Sequence, residues 1–285
     1  MGQSVEENIA GGVDTLAREK KIPLVESFGP TIQGEGSVIG FQTMFLRLGG
    51  CDSRCGRCDS LHAVLPKLFM PAAQRLTAAE LLEHTMAISG HTEWITISGG
   101  NPCMWDLTDL VQGLQKAGKR VAIETQGTLF PRWLPMCDKV TVSPKGPGMQ
   151  EPSGFNYAAF GQIVDHLLPA EGADVDQDDY MSVMMGHLGF SVKVVIFDQR
   201  DIEFMVELMQ LWPQLRDVMY ASIGNVNPPE PAHRDAKEQT YEEFVFTTLR
   251  NYEMLAGEIM QDPRCATVKI LPQLHTLIWG NRQGV

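Results

Sequence analysis

No stretch of this chain approaches the ~18 consecutive apolar residues that a membrane-spanning helix requires, so a helical membrane protein is excluded from the outset. Basic clusters are also missing. The chain carries 23 Lys and Arg against 35 Asp and Glu, a formal charge of −12, with no basic run of five residues. Nucleic-acid binding rests on clustered Lys and Arg facing phosphates, so a broad nucleic-acid surface is not expected and the acidic excess is read as a solvated surface. The first residues, MGQSVEENIAGGVDTLAREKK, lack the apolar segment of a secretory signal. Glu6 stands where N-myristoylation calls for Ser or Thr. The expected location is therefore cytoplasmic, without a membrane or nucleic-acid partner. Cysteine is scarce, with six in 285 residues. In a reducing compartment that number does not suggest disulfides, and three of the six crowd into eight residues, which points to a metal centre.

Around that cluster, strand-like and helix-like segments alternate. Residues 1–20 are polar and weakly patterned and read as a flexible extension, leaving residues 21–285 as one domain. Phe41 to Leu48 reads as a buried strand running into the cysteines, and it is taken as the first strand. Thr77 and Glu80 form a capping box for a helix to about Ser89. Trp94 to Ser98 reads as a strand ending at Gly99-Gly100. Asp106 is expected to cap a helix whose apolar positions are Leu107, Leu110, Val111 and Leu114. Further strands are predicted at Val121–Thr125, Lys139–Ser143, Ser191–Phe197, Met219–Ile223 and Thr267–Leu271, with helices near 155–168, 201–211 and 241–260. This alternation predicts an α/β protein with a mostly parallel sheet and right-handed crossovers, its chemistry at the C-terminal strand ends. Residues 170–190 are acidic and then Met-rich, and read as an insertion, either a packed loop or a contact surface.

Cys51-x3-Cys55-x2-Cys58 offers three soft thiolates on one loop after a strand. A cubane [4Fe–4S] cluster held by three thiolates keeps one iron without a protein ligand. That iron can chelate the amino and carboxylate groups of S-adenosylmethionine (SAM), and an electron passed through the cluster can cleave the cofactor's carbon–sulfur bond. Structural zinc is the rival, but it is four-coordinate and usually built from two ligand pairs. His62 and Cys103 are the nearest further ligands and form no paired motif. Cys103, Cys137 and Cys265 lie in no such spacing and read as ordinary buried thiols.

These residues with their neighbours resemble a known family. FGPTIQGEG (28–36), MFLRLGGCDSRCGRCDS (44–60), ISGGNP (97–102), ETQGT (124–128), SPK (143–145), KVVIF (193–197) and LPQLHTLIWGNRQGV (271–285) together are similar to the 7-carboxy-7-deazaguanine synthase family of the radical SAM superfamily, in family order from about residue 24 onward. The resemblance implies a modified, partial (β/α) barrel of the radical SAM type. It implies ring contraction of 6-carboxy-5,6,7,8-tetrahydropterin to 7-carboxy-7-deazaguanine with release of ammonia, in the biosynthesis of queuosine-type 7-deazapurines. It also implies a [4Fe–4S] cluster, SAM and Mg2+ as cofactors, a flavodoxin-like or other electron donor, and a homodimer.

The resemblance also assigns roles, each beside a blander explanation. Gln33 and Glu35 would read the pterin edge, or merely form a turn. Arg47, an Arg inside an apolar strand, would bind the substrate carboxylate bidentately, or sit in a structural ion pair. Ser60 would ligate Mg2+, or serve a turn or helix cap. Ser98, Gly99 and Gly100 would let the backbone approach SAM closely, with Gly100 near the substrate too. Asn101 stands where related enzymes have Glu, and its contact with SAM is left open. Glu124, Thr125, Ser143, Lys145 and Gln273 would reach SAM. His275 and Val285 in the tail would face the substrate. A different radical SAM enzyme, or an iron–sulfur or zinc module without catalysis, remains the alternative. A glycyl-radical activase would carry further CxxC pairs, which this chain lacks.

Overall fold

The computed structural model describes residues 20–168, 189–225, 240–282 and 284–285. The expected N-terminal extension and the acidic, Met-rich stretch of 170–190 fall almost entirely outside the described residues.

Nine strands form one sheet: β1 (Ile22–Ile32), β2 (Gln42–Leu48), β3 (Gln74–Leu76), β4 (Trp94–Gly99), β5 (Arg120–Thr125), β6 (Lys139–Val142), β7 (Phe190–Ile196), β8 (Met219–Ile223) and β9 (Lys269–Leu271). Their spatial order is β3-β1-β2-β4-β5-β6-β7-β8-β9. From β2 to β9 every pairing is parallel, whereas β1 runs antiparallel to both β2 and β3. The architecture is thus the mostly parallel α/β sheet expected, with β3 and β9 as its edges.

One expectation is corrected. Phe41–Leu48 is not the first strand: β1 precedes it, and the Gln33–Gly36 turn joins the two. β1 escapes a pattern search because Pro23, Gly29 and Pro30 interrupt it and its register with β2 shifts twice, between Leu24 and Glu26 and between Phe28 and Thr31.

The helices are α1 (Leu61–Val64), α2 (Pro66–Phe69), α3 (Ala78–Ser89), α4 (Thr108–Lys116), α5 (Tyr157–Leu167), α6 (Gln199–Leu211), α7 (Tyr241–Gln261) and α8 (Leu274–Trp279). Three begin with reciprocal capping boxes, Thr77 with Glu80, Asp198 with Asp201 and Thr240 with Glu243. Each box satisfies two backbone donors that the first turn leaves orphaned. Asp106 accepts from the Thr108 backbone and hydroxyl, so it organises the entry to α4, although Leu107 holds the cap position itself.

The two faces of the strands differ in character. Met44, Leu46 and Leu48 of β2, Ile95 and Ile97 of β4, Val121 and Ile123 of β5, Val140 and Val142 of β6, and Val192, Val194 and Ile196 of β7 belong to one continuous buried core. That core also contains Leu110 and Leu114 of α4, Phe160 and Ile163 of α5, and Leu208 of α6. Residues between them point to the other face, and many are polar: Thr43 is bonded to Thr96 and Thr141 to Ser191 across strands, all four buried there, beside the apolar Phe45 and Val195. The site lies on this second face.

Candidate functional site

The polar face opens at the C-terminal strand ends into one cavity. Every residue named above as a site candidate lines it: Gln33, Glu35, Arg47, Cys51, Cys55, Cys58, Ser60, Ser98, Gly99, Gly100, Glu124, Thr125, Ser143, Lys145, Gln273, His275 and Val285. Asn101 does not. It is fully buried behind the wall, donating to Asp52 at 2.8 Å and Thr128 at 3.2 Å, and accepting from the Thr125 hydroxyl at 2.9 Å and the Cys103 backbone at 3.2 Å. Asn101 therefore ties the ends of β4 and β5 to the cysteine loop, and the Thr125 hydroxyl is engaged in that tie.

The cysteine loop is held from both sides. Gly50 accepts from the Asn101 backbone at 2.8 Å, and Gly56 donates to the Gln150 carbonyl at 3.2 Å. Gln126, buried at the end of β5, donates to Asp52 at 2.6 Å and to Cys51 Sγ at 3.4 Å. Burial pushes all three thiols up, Cys55 to about 12 and Cys58 to about 11, with Cys51 also raised. Such thiols stay protonated until a metal draws them to thiolate. Among the described residues, no group of three or more His, Cys, Asp or Glu is arranged to hold a metal ion. The two further ligands weighed for zinc are committed elsewhere: Cys103 packs in the core, and His62 lies 3.3 Å from Glu26. Cys137 and Cys265 pack in or against the core, as expected of structural thiols.

The glycines at the end of β4 have a reason the sequence did not reveal. Gly99 has φ of +141°, and a Cβ there would lie 2.0 Å from the Leu48 carbonyl oxygen. A Cβ on Gly100 would lie 2.1 Å from that of Gly50. Close strand packing, rather than a ligand alone, demands both. Beside them, Ser98 Oγ is buried with no hydrogen-bond partner among the described residues. A buried hydroxyl without a partner is costly, and this one belongs to a residue lining the cavity. Nearby, Lys145 Nζ donates to Ser143 Oγ at 3.2 Å.

Two charge groups, one half-buried and one buried, complete the lining. In the first, Glu26 takes Arg47 Nε at 2.5 Å and His62 at 3.3 Å. Burial would raise the Glu26 carboxyl, but His62 and Arg47 outweigh it and hold it below the ordinary range. Arg47 thus forms the ion pair foreseen as its alternative role while still lining the cavity, and its Nη1 lies 3.4 Å from Ser60 Oγ. Ser60 in turn donates to Asp59 at 2.8 Å, and its side chain caps no helix.

The second group centres on Lys193 of β7. Its Nζ contacts Glu35 and lies 4.0 Å from Glu124. Gln273 donates to Glu35 at 2.5 Å, and Gln33 donates to Glu124 at 2.9 Å. Burial alone would raise the Glu35 carboxyl. The Lys193 cation, His275, and hydrogen bonds from Lys193 and Gln273 reverse that and bring it down to about 2. Gln273, assigned from sequence to the cofactor, is thus bonded to a residue assigned to the substrate. The tail reaches this point because α8 packs on the Gln33–Gly36 turn: Leu274 donates to the Gly34 carbonyl, and a Cβ on Gly34 would collide with His275.

Sequence reasoning missed Lys193, Glu26 and Gln126. Lys193 and Gln126 sit inside matched motifs but received no role. The available signal for Lys193 was a charged residue in register with Ser191 and Val195 on the inward face of an otherwise apolar strand.

Comparison with known proteins agrees with this geometry. No family model matches the chain. It is similar to the 7-carboxy-7-deazaguanine synthase of Bacillus subtilis, 35% identical over 93% of this chain and 99% of that protein. It is similar also to that of Bacillus cereus, 34% identical over 93% and 99%. Among solved structures it resembles QueE from Escherichia coli, with a TM-score of 0.60 over 90% of this chain and 95% of that one, at 22% identity. That last likeness speaks for the fold.

Proposed function

The chain belongs to the 7-carboxy-7-deazaguanine synthase family, and on that premise we propose that its cavity contracts 6-carboxy-5,6,7,8-tetrahydropterin to 7-carboxy-7-deazaguanine with release of ammonia. The observation carrying this reading is the meeting, on one cavity, of the three-cysteine loop and the buried Glu35–Lys193–Glu124 group. One supports radical chemistry, and the other supports recognition of a polar heterocycle.

The residues fit the groups this reaction uses. Cys51, Cys55 and Cys58 would hold a [4Fe–4S] cluster by three irons. The unpartnered Ser98 hydroxyl, the Gly99-Gly100 backbone, Ser143 and Lys145 would hold SAM. Bound together, cluster and SAM supply one-electron cleavage of a carbon–sulfur bond and hence a radical able to abstract hydrogen. Ser60 offers the kind of oxygen ligand Mg2+ prefers, and Glu26 neutralises the Arg47 guanidinium beside it. The reaction calls for an external electron donor, flavodoxin-like or otherwise, and the resemblance carries a homodimer with it.

Around the substrate, the chain's own groups bind and orient. Glu35 and Glu124, the second of which the resemblance had assigned to SAM, accept from the N–H donors of the pterin edge, and Gln33 and Gln273 fix those carboxylates through their amide N–H groups. Arg47 has a guanidinium fork that suits the 6-carboxylate. His275 and Val285 close the tail side of the cavity, which favours a fixed ring and a dry reaction centre.

The test is anaerobic turnover of protein reconstituted with iron and sulfide, given SAM, Mg2+, a reductant and the tetrahydropterin. 7-Carboxy-7-deazaguanine is expected by mass, and Cys55→Ala is expected to abolish it while leaving the circular dichroism spectrum unchanged. SAM cleavage without any deazaguanine would overturn the substrate. No SAM cleavage, with zinc as the bound metal, would overturn the chemistry as well.

A further inference from the structure

We propose that Lys193 is a positioning residue for substrate recognition: as a cation between Glu35 and Glu124, it gathers both carboxylates and holds them to receive the donor edge of the ring. This rests on the function proposed above and names a residue that reading leaves without a role.

The argument begins with burial. The side chains of Lys193, Glu35 and Glu124 are 6%, 12% and 20% exposed. Two poorly solvated carboxylates gathered on one ammonium lose its attraction when it is removed, and desolvation with mutual repulsion then favours a proton on one of them. Here they come from different parts of the chain, Glu35 from the turn after β1 and Glu124 from β5, and Lys193 reaches both. Gln33 closes the group into a ring. Its Nε2 donates to Glu124 at 2.9 Å, and its Oε1 accepts from the Glu35 backbone at 3.2 Å.

The charge sum is the useful feature. Two carboxylates and one ammonium leave one negative charge facing the cavity, which suits a neutral heterocycle presenting N–H donors. A protonated Glu35 would instead present a donor to a donor. Lys193 does not serve as a proton source, since Glu124 and Glu35 hold its own proton more tightly than in a free lysine, against the opposing pull of burial. The other charged or titratable groups facing this ring are His275 of α8, toward Glu35, and Asp59 of the cysteine loop, toward Lys193.

The test measures binding of 6-carboxypterin, the oxidised analogue that cannot react, to the reconstituted full-length holoenzyme by fluorescence between pH 5.5 and 8. Taking variant relative to wild type cancels the titration of the ligand and of groups common to both proteins. Lys193→Met is expected to add a new pH dependence, its affinity relative to wild type falling by up to about tenfold per pH unit below the raised carboxylate pKa. Lys193→Arg should restore the wild-type profile. Lys193→Met/Glu124→Gln, with the repulsion gone, should shift the midpoint to lower pH and provides a second reading if the single variant folds poorly. A Lys193→Met profile parallel to wild type overturns the proposal: uniformly weaker binding would mean that Lys193 touches the ligand directly, and unchanged binding that it is structural. If wild type neither binds 6-carboxypterin nor turns over the tetrahydropterin, the proposed function fails first, and the separate wild-type arm shows it.

Discussion

The two faces of the same strands obey different rules. Outward, Met44, Leu46, Leu48, Ile95, Ile97, Val192 and Val194 are aliphatic and almost wholly buried against the helices. Inward, at alternate positions of the same strands, stand Thr43, Arg47, Thr96, Ser98 and Lys193. The first face is held by area removed from water, about 25 cal/mol per Å², a term indifferent to which aliphatic group supplies it. The second is held by matched pairs, in which losing one partner strands the other. Stability is thus spread over one face, whereas chemistry is concentrated on the other.

Substitutions can separate the two. The largest stability effect is expected on the outer face: Leu46→Ala removes a wholly buried side chain from the core and should cost about 2–5 kcal/mol in denaturant unfolding, while the KM of the remaining folded enzyme stays unchanged. A KM shift with little loss of stability would blur the division.

The next effect is electrostatic. Glu35 sits near 2 when folded, against about 4.3 in an unfolded chain, so the unfolded state takes up this proton first. Its stabilisation is therefore complete above about pH 5 and lost as pH falls toward 2, an amount on the order of 2–3 kcal/mol. Urea unfolding followed from pH 7 down to 3 should show this loss in wild type and a shallower slope in Glu35→Gln. Identical slopes would mean that the Lys193 pairing does not set the charge of Glu35.

The smallest effect tests the inner face where no ligand is expected. Thr43 and Thr96 share a 2.8 Å hydroxyl contact on that face and do not line the cavity. Replacing both by Val swaps a matched polar pair for a matched apolar one, which is expected to change stability by less than about 1 kcal/mol. Thr96→Val alone, leaving Thr43 with fewer partners, should cost more than the double change.

Much of this was legible beforehand. The parallel strands β4 to β8 and the capping box of α3 follow from short-range patterns, and the members of the cavity lining named from sequence follow from motifs at strand ends and from the family resemblance. What was not legible depends on distant partners. β1 is broken by prolines and makes sense only when paired antiparallel with β2 and β3. β3 spans three residues and α1 and α2 four each, too short for a period to register. Lys193 meets Glu35 across 158 positions of sequence, and Gln273 meets the same carboxylate across 238. Whether Asn101 meets the cofactor was left open from its motif, and its place behind the wall is set by Asp52 and Thr128, which no local spacing reveals.

The most direct test of the inner face as a reading surface for the pterin is an anaerobic assay that counts 5′-deoxyadenosine and 7-carboxy-7-deazaguanine side by side in wild type and Glu35→Gln. The account predicts that the variant still cleaves SAM, because its cysteine loop is untouched, but loses deazaguanine formation. Deazaguanine formed by Glu35→Gln at the wild-type rate would contradict it.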